Sequence, residues 1–127
     1  MIIEDFIPFD LAKKLKEKGF NEGCYKYYES QELKWSNSPW LETRYNNYMP
    51  HITAAPTISQ VLKWLRKEKE IDIILRPIFL YNDNNRGREY GIEIYAPRLN
   101  KPTHLDFFKK WEKGAVAGIN YVLDNLI

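Results

Sequence analysis

The middle of the chain contains a segment whose apolar residues repeat first with a helical period and then with a strand period. From Ile58 to Leu65, four apolar residues recur at intervals of three and four, which predicts an amphipathic helix over 57–69. Thr57 and Gln60 have the spacing of a capping box, in which the two side chains accept hydrogen bonds from backbone N–H groups at the helix start. This helix is expected to lead directly into a strand.

A β-hairpin is predicted after this helix. Apolar and polar residues alternate over 71–81 and again over 89–95, and the run 82–87 between them is rich in turn-forming residues. Pro77 has no N–H to donate to a ladder, so its strand is expected at a sheet edge or at a bulge. The residues of the return strand expected to face inward are Tyr90, Ile92 and Ile94.

A short surface helix is predicted near the N-terminus, over 10–18. Leu11 and Leu15 share one face of it, and lysines fill the other face. Asp10 is expected to cap its start, and Gly19 suits the C′ position at its end.

The longest apolar stripe, over 104–126, advances in alternating steps of three and four and predicts the last helix. Thr103 and Asp106, three residues apart, predict its N-terminal cap. Gly114 and Gly118 lower helix propensity, and we expect them to mark a place where the helix backbone packs closely on a sheet.

The segment 29–54 is harder to interpret, because its Trp and Tyr residues lie among turn-forming Ser, Asn and Pro. The aromatic run 24–28 before it predicts a strand. Within the segment, 33–35 and 41–45 are expected to pair as strands, and a long binding loop is the alternative. Together the elements predict a single α+β domain over 1–127, a two-layer sandwich in which helices cover a small antiparallel or mixed sheet.

Composition and charge narrow the class of protein. The 127 residues are 44% hydrophobic and 28% charged, as in ordinary globular proteins, and the net charge is +2. A charge this small argues weakly against nucleic acid as the main partner. The N-terminus lacks the features of a signal peptide, and no apolar run has the length of a membrane span, so a cytoplasmic protein without membrane contact is expected.

No catalytic or cofactor-binding constellation stands out. Cys24 is the only cysteine, and His51 and His104 are the only histidines, so neither an intrachain disulfide nor a metal site is expected. Cys24 and His51 have the chemistry of a nucleophile and a base, but a buried structural thiol is the preferred interpretation. We therefore expect a protein that is not an enzyme and carries no cofactor.

Two groups of residues are candidates for binding. The first would either stack on a ligand or, by the preferred interpretation, fill a small second core. It comprises Trp35, Trp40, Arg44, Tyr45 and Tyr48. The second is the pair Arg86 and Arg88 at the hairpin turn, which would contact phosphate or an acidic partner unless the two side chains are simply solvated.

The run Ala-Pro-Thr-x-x-x-Val-x-x-Trp-Leu-Arg-x-x-x-x-Ile-x-Ile, at Ala55–Ile73, resembles small uncharacterised proteins of phages and prophages of gut Bacteroidales. Gly19 and Phe20 before it, and the amphipathic helix at the C-terminus, fit the same layout. The resemblance implies a mobile-element origin and no particular activity.

The function expected from the sequence is a non-enzymatic interaction module of phage or mobile-element origin, which binds another protein or a second copy of itself. Its binding surface is expected at the aromatic segment or at the sheet edge near Pro77. The alternative is weak binding of single-stranded nucleic acid by aromatic and basic residues, including Tyr25 and Tyr27. A small hydrolase or transferase built on Cys24 and His51 is a third hypothesis.

Overall fold

A computed structural model of the chain describes residues 5–35, 51–82 and 85–127, except for the side chains of 80–86. This part of the chain contains three helices and six strands. The helices are α1 (Phe9–Glu17), α2 (Ile58–Glu68) and α3 (Trp111–Asn125), and the strands are β1 (Lys26–Glu29), β2 (Glu32–Trp35), β3 (Ile52–Ala55), β4 (Asp72–Asn82), β5 (Asn85–Tyr95) and β6 (Thr103–Phe108). The strands pair antiparallel, and the predicted α+β class is confirmed.

The chain divides into two compact units, Met1–Val61 with Ile127, and Leu62–Leu126. Each unit contains one three-stranded sheet, with the strand order β2-β1-β3 in the first and β4-β5-β6 in the second. The strands are therefore distributed over two small sheets, where the sequence suggested one.

The first sheet is built on β1, which pairs with β2 on one side and with β3 on the other. The turn residues between β1 and β2, Ser30 and Gln31, have φ angles of 51° and 69°. Positive φ at both positions is what a two-residue hairpin turn requires to match the twist of its strands. The strands predicted at 24–28 and 33–35 are confirmed as β1 and β2, which pair with each other; the segment 41–45 lies outside the described residues.

Strand β3 was not predicted. Ile52 and Ala54 face one side of the sheet and Ala55 the other, and all three are buried. Half of this four-residue strand is alanine, which has low strand propensity, so the local sequence gives no strong signal for it. Helix α1 packs on β3, and Lys16 Nζ donates a hydrogen bond to the carbonyl oxygen of Ile52 at 2.8 Å.

Helix α1 follows the predicted pattern, with Leu11 and Leu15 buried. The prediction that Asp10 caps it is wrong. The helix begins one residue earlier than expected, so Pro8 is the capping residue, and Asp10 lies within the first turn without making a capping hydrogen bond. Gly19 has a φ of 92°, as its expected position after the helix end requires.

The capping box at the start of α2 is confirmed. The Thr57 backbone N–H donates to Gln60 Oε1 at 2.8 Å, and the Gln60 backbone N–H donates to Thr57 Oγ1 at 3.1 Å. The N–H of Ile58 donates to the carbonyl oxygen of Asp5 at 2.9 Å, so the N-terminal segment satisfies a further free donor of the helix. The buried residues of the predicted stripe are Ile58, Val61 and Leu65.

Strands β4 and β5 form the predicted hairpin, in continuous register over all eleven residues of each strand. Pro77 lies in β4, which is an edge strand of this sheet, as its missing N–H predicts. Of the residues expected to face inward, Ile92 and Ile94 are buried and Tyr90 is half-buried.

The predicted start of the last helix, near 104, is wrong. Thr103 to Phe108 form β6, which pairs with β5, and α3 begins only at Trp111. Thr103 and Asp106 therefore do not cap a helix, and no side chain caps α3. Phe108 precedes Trp111 by three residues, so this strand residue prolongs the helical stripe in the sequence and hides the boundary.

Helix α3 covers one face of the second sheet, and its backbone lies very close to the side chains of that face. A Cβ atom added to Gly114 would lie 2.7 Å from Cδ1 of Ile92, and one added to Gly118 would lie 2.9 Å from Cγ2 of Ile73. The close approach predicted from these two glycines is confirmed. The buried apolar residues of α3 are Ala115, Ile119, Val122 and Leu123.

Candidate functional site

An exposed aromatic and cationic patch lies at one edge of the first sheet; we call it the Trp35 surface, made of Phe6, Lys26, Leu33 and Trp35. Trp35 is 65% exposed and Leu33 is 39% exposed. The two residues lie two positions apart on β2, which is an edge strand among the described residues, so they share a face of the sheet. Trp35 therefore lies at the surface and does not fill a core.

The ammonium group of Lys26 lies close to two aromatic rings of this surface. Lys26 Nζ is 4.3 Å from the ring centroid of Phe6 and 4.3 Å from that of Trp35. The two rings meet edge to face, with their centroids 6.5 Å apart. Cation–π contacts at exposed sites contribute about 0.5–1 kcal/mol each, so the three side chains hold one another in a defined arrangement.

Backbone pairing positions each member of the Trp35 surface. Lys26 of β1 stands opposite Trp35 of β2, and Leu33 stands opposite Tyr28. Phe6 is held by a β-bridge to Thr57, at the start of α2. The surface thus combines two adjacent strands with the N-terminal segment, an arrangement that the sequence alone does not reveal.

The other predicted site residues lie either outside the described residues or on the second sheet. Trp40, Arg44, Tyr45 and Tyr48 lie outside the described residues. Arg86 lies in β5, and its side chain is not among those described. Arg88 is exposed on β5, where its guanidinium group lies 5.2 Å from the ring centroid of Tyr90. Arg88 and Trp35 belong to different sheets.

Cys24 is a buried thiol. It is 4% exposed, and its Sγ donates a hydrogen bond to the carbonyl oxygen of Glu22 at 3.5 Å. Burial, and then the negative charge of Glu22, raise the pKa of Cys24 to about 12. A cysteine attacks as the thiolate, so this thiol is inert near neutral pH. His51, its suggested base, is exposed in a turn.

A polar network on the second sheet was not found by sequence reasoning. Arg76 Nε donates to Glu93 Oε1 at 3.1 Å, and Arg76 Nη2 donates to Glu93 Oε2 at 3.2 Å. Tyr95 Oη donates to Glu93 Oε2 at 3.0 Å. His104 of β6 stands opposite Glu93. The sequence did contain a signal for this network. Once β4 and β5 are paired in register, Arg76 is a diagonal neighbour of Glu93.

This network shifts the ionisation of its members. The hydrogen bonds from Arg76 and from Tyr95 lower the pKa of Glu93 and keep its carboxylate charged. The bond to Glu93 raises the pKa of Arg76 and that of Tyr95. Because the network lies at the surface, we expect it to orient these side chains and to contribute little to stability.

Two searches of the described residues give negative results. No group of three or more His, Cys, Asp or Glu side chains there is arranged to hold a metal ion. None of the helices in the described ranges combines the length and the apolar character needed to cross a bilayer.

Comparison with known proteins identifies no relative of this chain. No protein-family model, curated protein or solved structure matches it. Its function must therefore be argued from the surfaces of the molecule.

Proposed function

We propose that the protein is a non-enzymatic interaction module, of phage or mobile-element origin, that binds another protein through the Trp35 surface. The observation that carries the proposal is the 65% exposure of Trp35 on an edge strand. Tryptophan is among the residues that dominate the binding energy of protein interfaces. The mobile-element origin rests on the resemblance at Ala55–Ile73. A cytoplasmic location is part of the proposal and is supported by the free thiol of Cys24.

The contacts around Trp35 support a binding role. Lys26 and Phe6 restrict the Trp35 ring, so less side-chain entropy is lost when a partner covers it. Leu33 extends the apolar area along the same strand. A partner would gain apolar contact with Trp35 and Leu33 at the centre, with the Lys26 charge beside them.

Site-specific photo-crosslinking in cells tests this proposal. A photoreactive phenylalanine analogue replaces Leu33 in one variant and the exposed Lys13 of α1 in a control variant. We expect a discrete protein adduct from position 33 that is absent from position 13 and is lost when Trp35→Ser is added. A lone monomer by native mass spectrometry, with no adduct from position 33, would rule the proposal out.

Weak binding of single-stranded nucleic acid is a second candidate function. The observation in its favour is the Lys26 ammonium beside the Trp35 ring, because a base can stack on an aromatic ring while a nearby cation contacts its phosphate. Tyr25, the neighbour of Lys26 in the sequence, is also exposed.

Oligonucleotide titrations distinguish the two functions. If the surface binds nucleic acid, tryptophan fluorescence changes on titration, the affinity falls steeply with salt, and Trp35→Ser abolishes the signal. Flat titrations at low salt would exclude this candidate and leave the protein-binding proposal intact.

A further inference from the structure

The second sheet has a face that points away from α3; we call it the open face. Ile73 and Leu75 lie on the side of β4 that meets the glycines of α3. Their neighbours Ile74 and Arg76 therefore point to the opposite side, because successive residues of a strand alternate. The residues on the open face are Asp72, Ile74, Arg76 and Ile78 of β4, Glu89, Gly91, Glu93 and Tyr95 of β5, and His104 and Phe107 of β6.

The centre of the open face is apolar and exposed. Phe107 is 61% exposed and Ile74 is 41% exposed. A Cβ atom at Gly91 would lie 3.3 Å from Ile78 Cδ1 and 3.3 Å from Phe107 Cε1, so the glycine lets these two side chains lie over β5. The solvated face of an antiparallel sheet is normally polar, and exposed apolar side chains grouped in this way indicate an interaction surface.

The charges around this apolar centre are mainly negative. Asp72, Glu89 and Glu93 supply three carboxylates and Arg76 supplies one guanidinium group, which leaves an excess of two negative charges when His104 is neutral. The whole chain has a net charge of +2, so the open face differs in sign from the molecule. Because Arg76 is already bonded to Glu93, the carboxylates at the two ends, Asp72 and Glu89, are the ones that a cationic partner would meet.

We propose that the open face docks a basic amphipathic helix of a partner protein. Its apolar stripe would cover Ile74, Ile78 and Phe107, and Lys or Arg side chains at its ends would meet Asp72 and Glu89. The inference goes beyond the proposed function, because it concerns the second sheet and does not need the Trp35 surface.

The dimensions of the face fit one helix. From Asp72 to Ile78, at about 3.3 Å per strand residue, the face extends about 20 Å. A helix covers that distance in about 13 residues, at about 1.5 Å per residue. Helix α3, which covers the other face, has 15 residues. A helix docked on the open face would therefore pack on this sheet much as α3 packs on its other face.

Among the described residues of a second copy, no helix is free to dock in this way. The lysine-rich helix α1 has its apolar residues Leu11 and Leu15 buried. Helix α2 is also basic on one face, but Ile58 and Leu65 on its apolar face are buried. The occupant is therefore assigned to a different protein.

The test uses a synthetic helical peptide of about 14 residues, with a leucine stripe and flanking lysines, titrated into isotope-labelled full-length protein. We expect saturable amide shifts confined to β4, β5 and β6. The matched control peptide has glutamate in place of every lysine, and we expect it to bind about tenfold more weakly or worse. Equal binding of the two peptides, or shifts centred on the first sheet, would overturn the inference.

Three variants of the protein show which surface binds the peptide. Phe107→Ser should weaken binding of the lysine peptide about tenfold, and because Phe107 is exposed, the thermal midpoint of the variant should not change. Glu89→Lys should weaken the lysine peptide and strengthen the glutamate peptide. Leu33→Ser, on the Trp35 surface, should leave both affinities unchanged.

The remaining outcomes are also decisive. A loss of peptide binding in Leu33→Ser would move the site to the Trp35 surface and overturn this inference. A concentration-dependent dimer that Phe107→Ser abolishes would make a second copy the occupant and would also overturn it. The crosslinking from position 33 reads out the proposed function separately, so failure of one does not imply failure of the other.

Discussion

Single polar atoms determine how the N-terminal segment is held in the first unit. Tyr28 Oη donates a hydrogen bond to the carbonyl oxygen of Ile7 at 2.7 Å, and both residues are buried. The Tyr28 ring also meets the Phe9 ring edge to face, at a centroid distance of 5.3 Å. Because Phe6 adjoins Ile7, this hydrogen bond also helps to position the Trp35 surface.

Replacing Tyr28 with Phe should therefore destabilise the protein by about 1–2 kcal/mol, because the buried carbonyl oxygen of Ile7 loses its partner. Urea unfolding measures this change. The control is Tyr25→Phe, at an exposed ring, where we expect a change within about 0.5 kcal/mol. Equal effects of the two substitutions would show that the hydrogen bond to Ile7 contributes nothing.

The buried thiol of Cys24 makes the stability of the folded protein depend on pH. Its pKa is raised from 9.0 to about 12 in the folded protein, so the stability linked to the neutral thiol is fully present below pH 9.0 and is lost as the pH rises towards 12. The pKa of Tyr28 is also raised by burial and acts in the same direction, so comparison with Cys24→Ala isolates the thiol. We expect the stability advantage of the native protein over Cys24→Ala to fall above pH 9.0.

Alkylation by iodoacetamide gives a second measurement on Cys24. At mildly alkaline pH the folded protein should react far more slowly than the urea-unfolded protein, because the thiolate is scarce and the sulfur is covered. Equal rates in the two states would contradict the buried position of this residue and would revive the hypothesis of a nucleophilic cysteine.

Whether an aromatic side chain is buried depends on strands that are far away in the sequence. The sequence alone therefore does not predict the burial of a single residue such as Trp35. The preferred core interpretation is wrong for Trp35, which is 65% exposed because β2 is an edge strand among the described residues. Its contact with Phe6, 29 positions earlier in the chain, follows from the bridge between Phe6 and Thr57 and not from any local pattern.

At the scale of elements, the packing of α3 on its sheet depends on two glycines in different surroundings. An added Cβ at Gly118 meets Ile73 Cγ2 at 2.9 Å, a branch methyl that cannot move without turning the whole side chain. An added Cβ at Gly114 meets Ile92 Cδ1 at 2.7 Å, a terminal methyl that can move by rotation about χ2 alone. The two positions therefore differ in how well they can accept a methyl group.

We expect Gly118→Ala to destabilise the protein by about 1 kcal/mol and by no more than about 2 kcal/mol, because overpacking costs about 1–3 kcal/mol and improved helix propensity returns about 1 kcal/mol. Gly114→Ala should change the free energy of unfolding less, by an amount close to zero. The control is Gly87→Ala in β5, where an added Cβ meets nothing within 4 Å. Chemical denaturation ranks the three variants, and a stabilised Gly118→Ala would disprove the close approach.

The elements with a strong local signal were the ones predicted well. Three features depend on residues that are close together in the sequence and can therefore be recognised there: the capping box of α2, the long hairpin and the glycines of α3. Strand β3 was missed because it is only four residues long and two of them are alanines with low strand propensity. The strand β6 was taken for helix because Thr103 and Asp106 have the spacing of a helix cap, whereas the pairing of β6 with β5 is a tertiary effect. The polar network around Glu93 could have been derived once the hairpin register was fixed.

At the scale of the whole molecule, the boundary between the two units falls inside α2. Val61 belongs to the first unit and Leu62 to the second, and both lie within one continuous helix. Val61 and Leu65, on either side of the boundary, are fully buried. Because helix formation is cooperative, unfolding of one part of α2 removes backbone hydrogen bonds from the other.

This shared helix leads us to expect one cooperative unfolding transition, as the single-domain prediction requires. Amide signals of β1 and of β5, followed through urea by NMR, should disappear at the same midpoint. Gly118→Ala lies in the second unit, so the decisive observation is whether it lowers the midpoint of the β1 amides as much as that of the β5 amides. If only the β4 to β6 signals shift, the units unfold separately and the chain is better described as two domains joined through a helix.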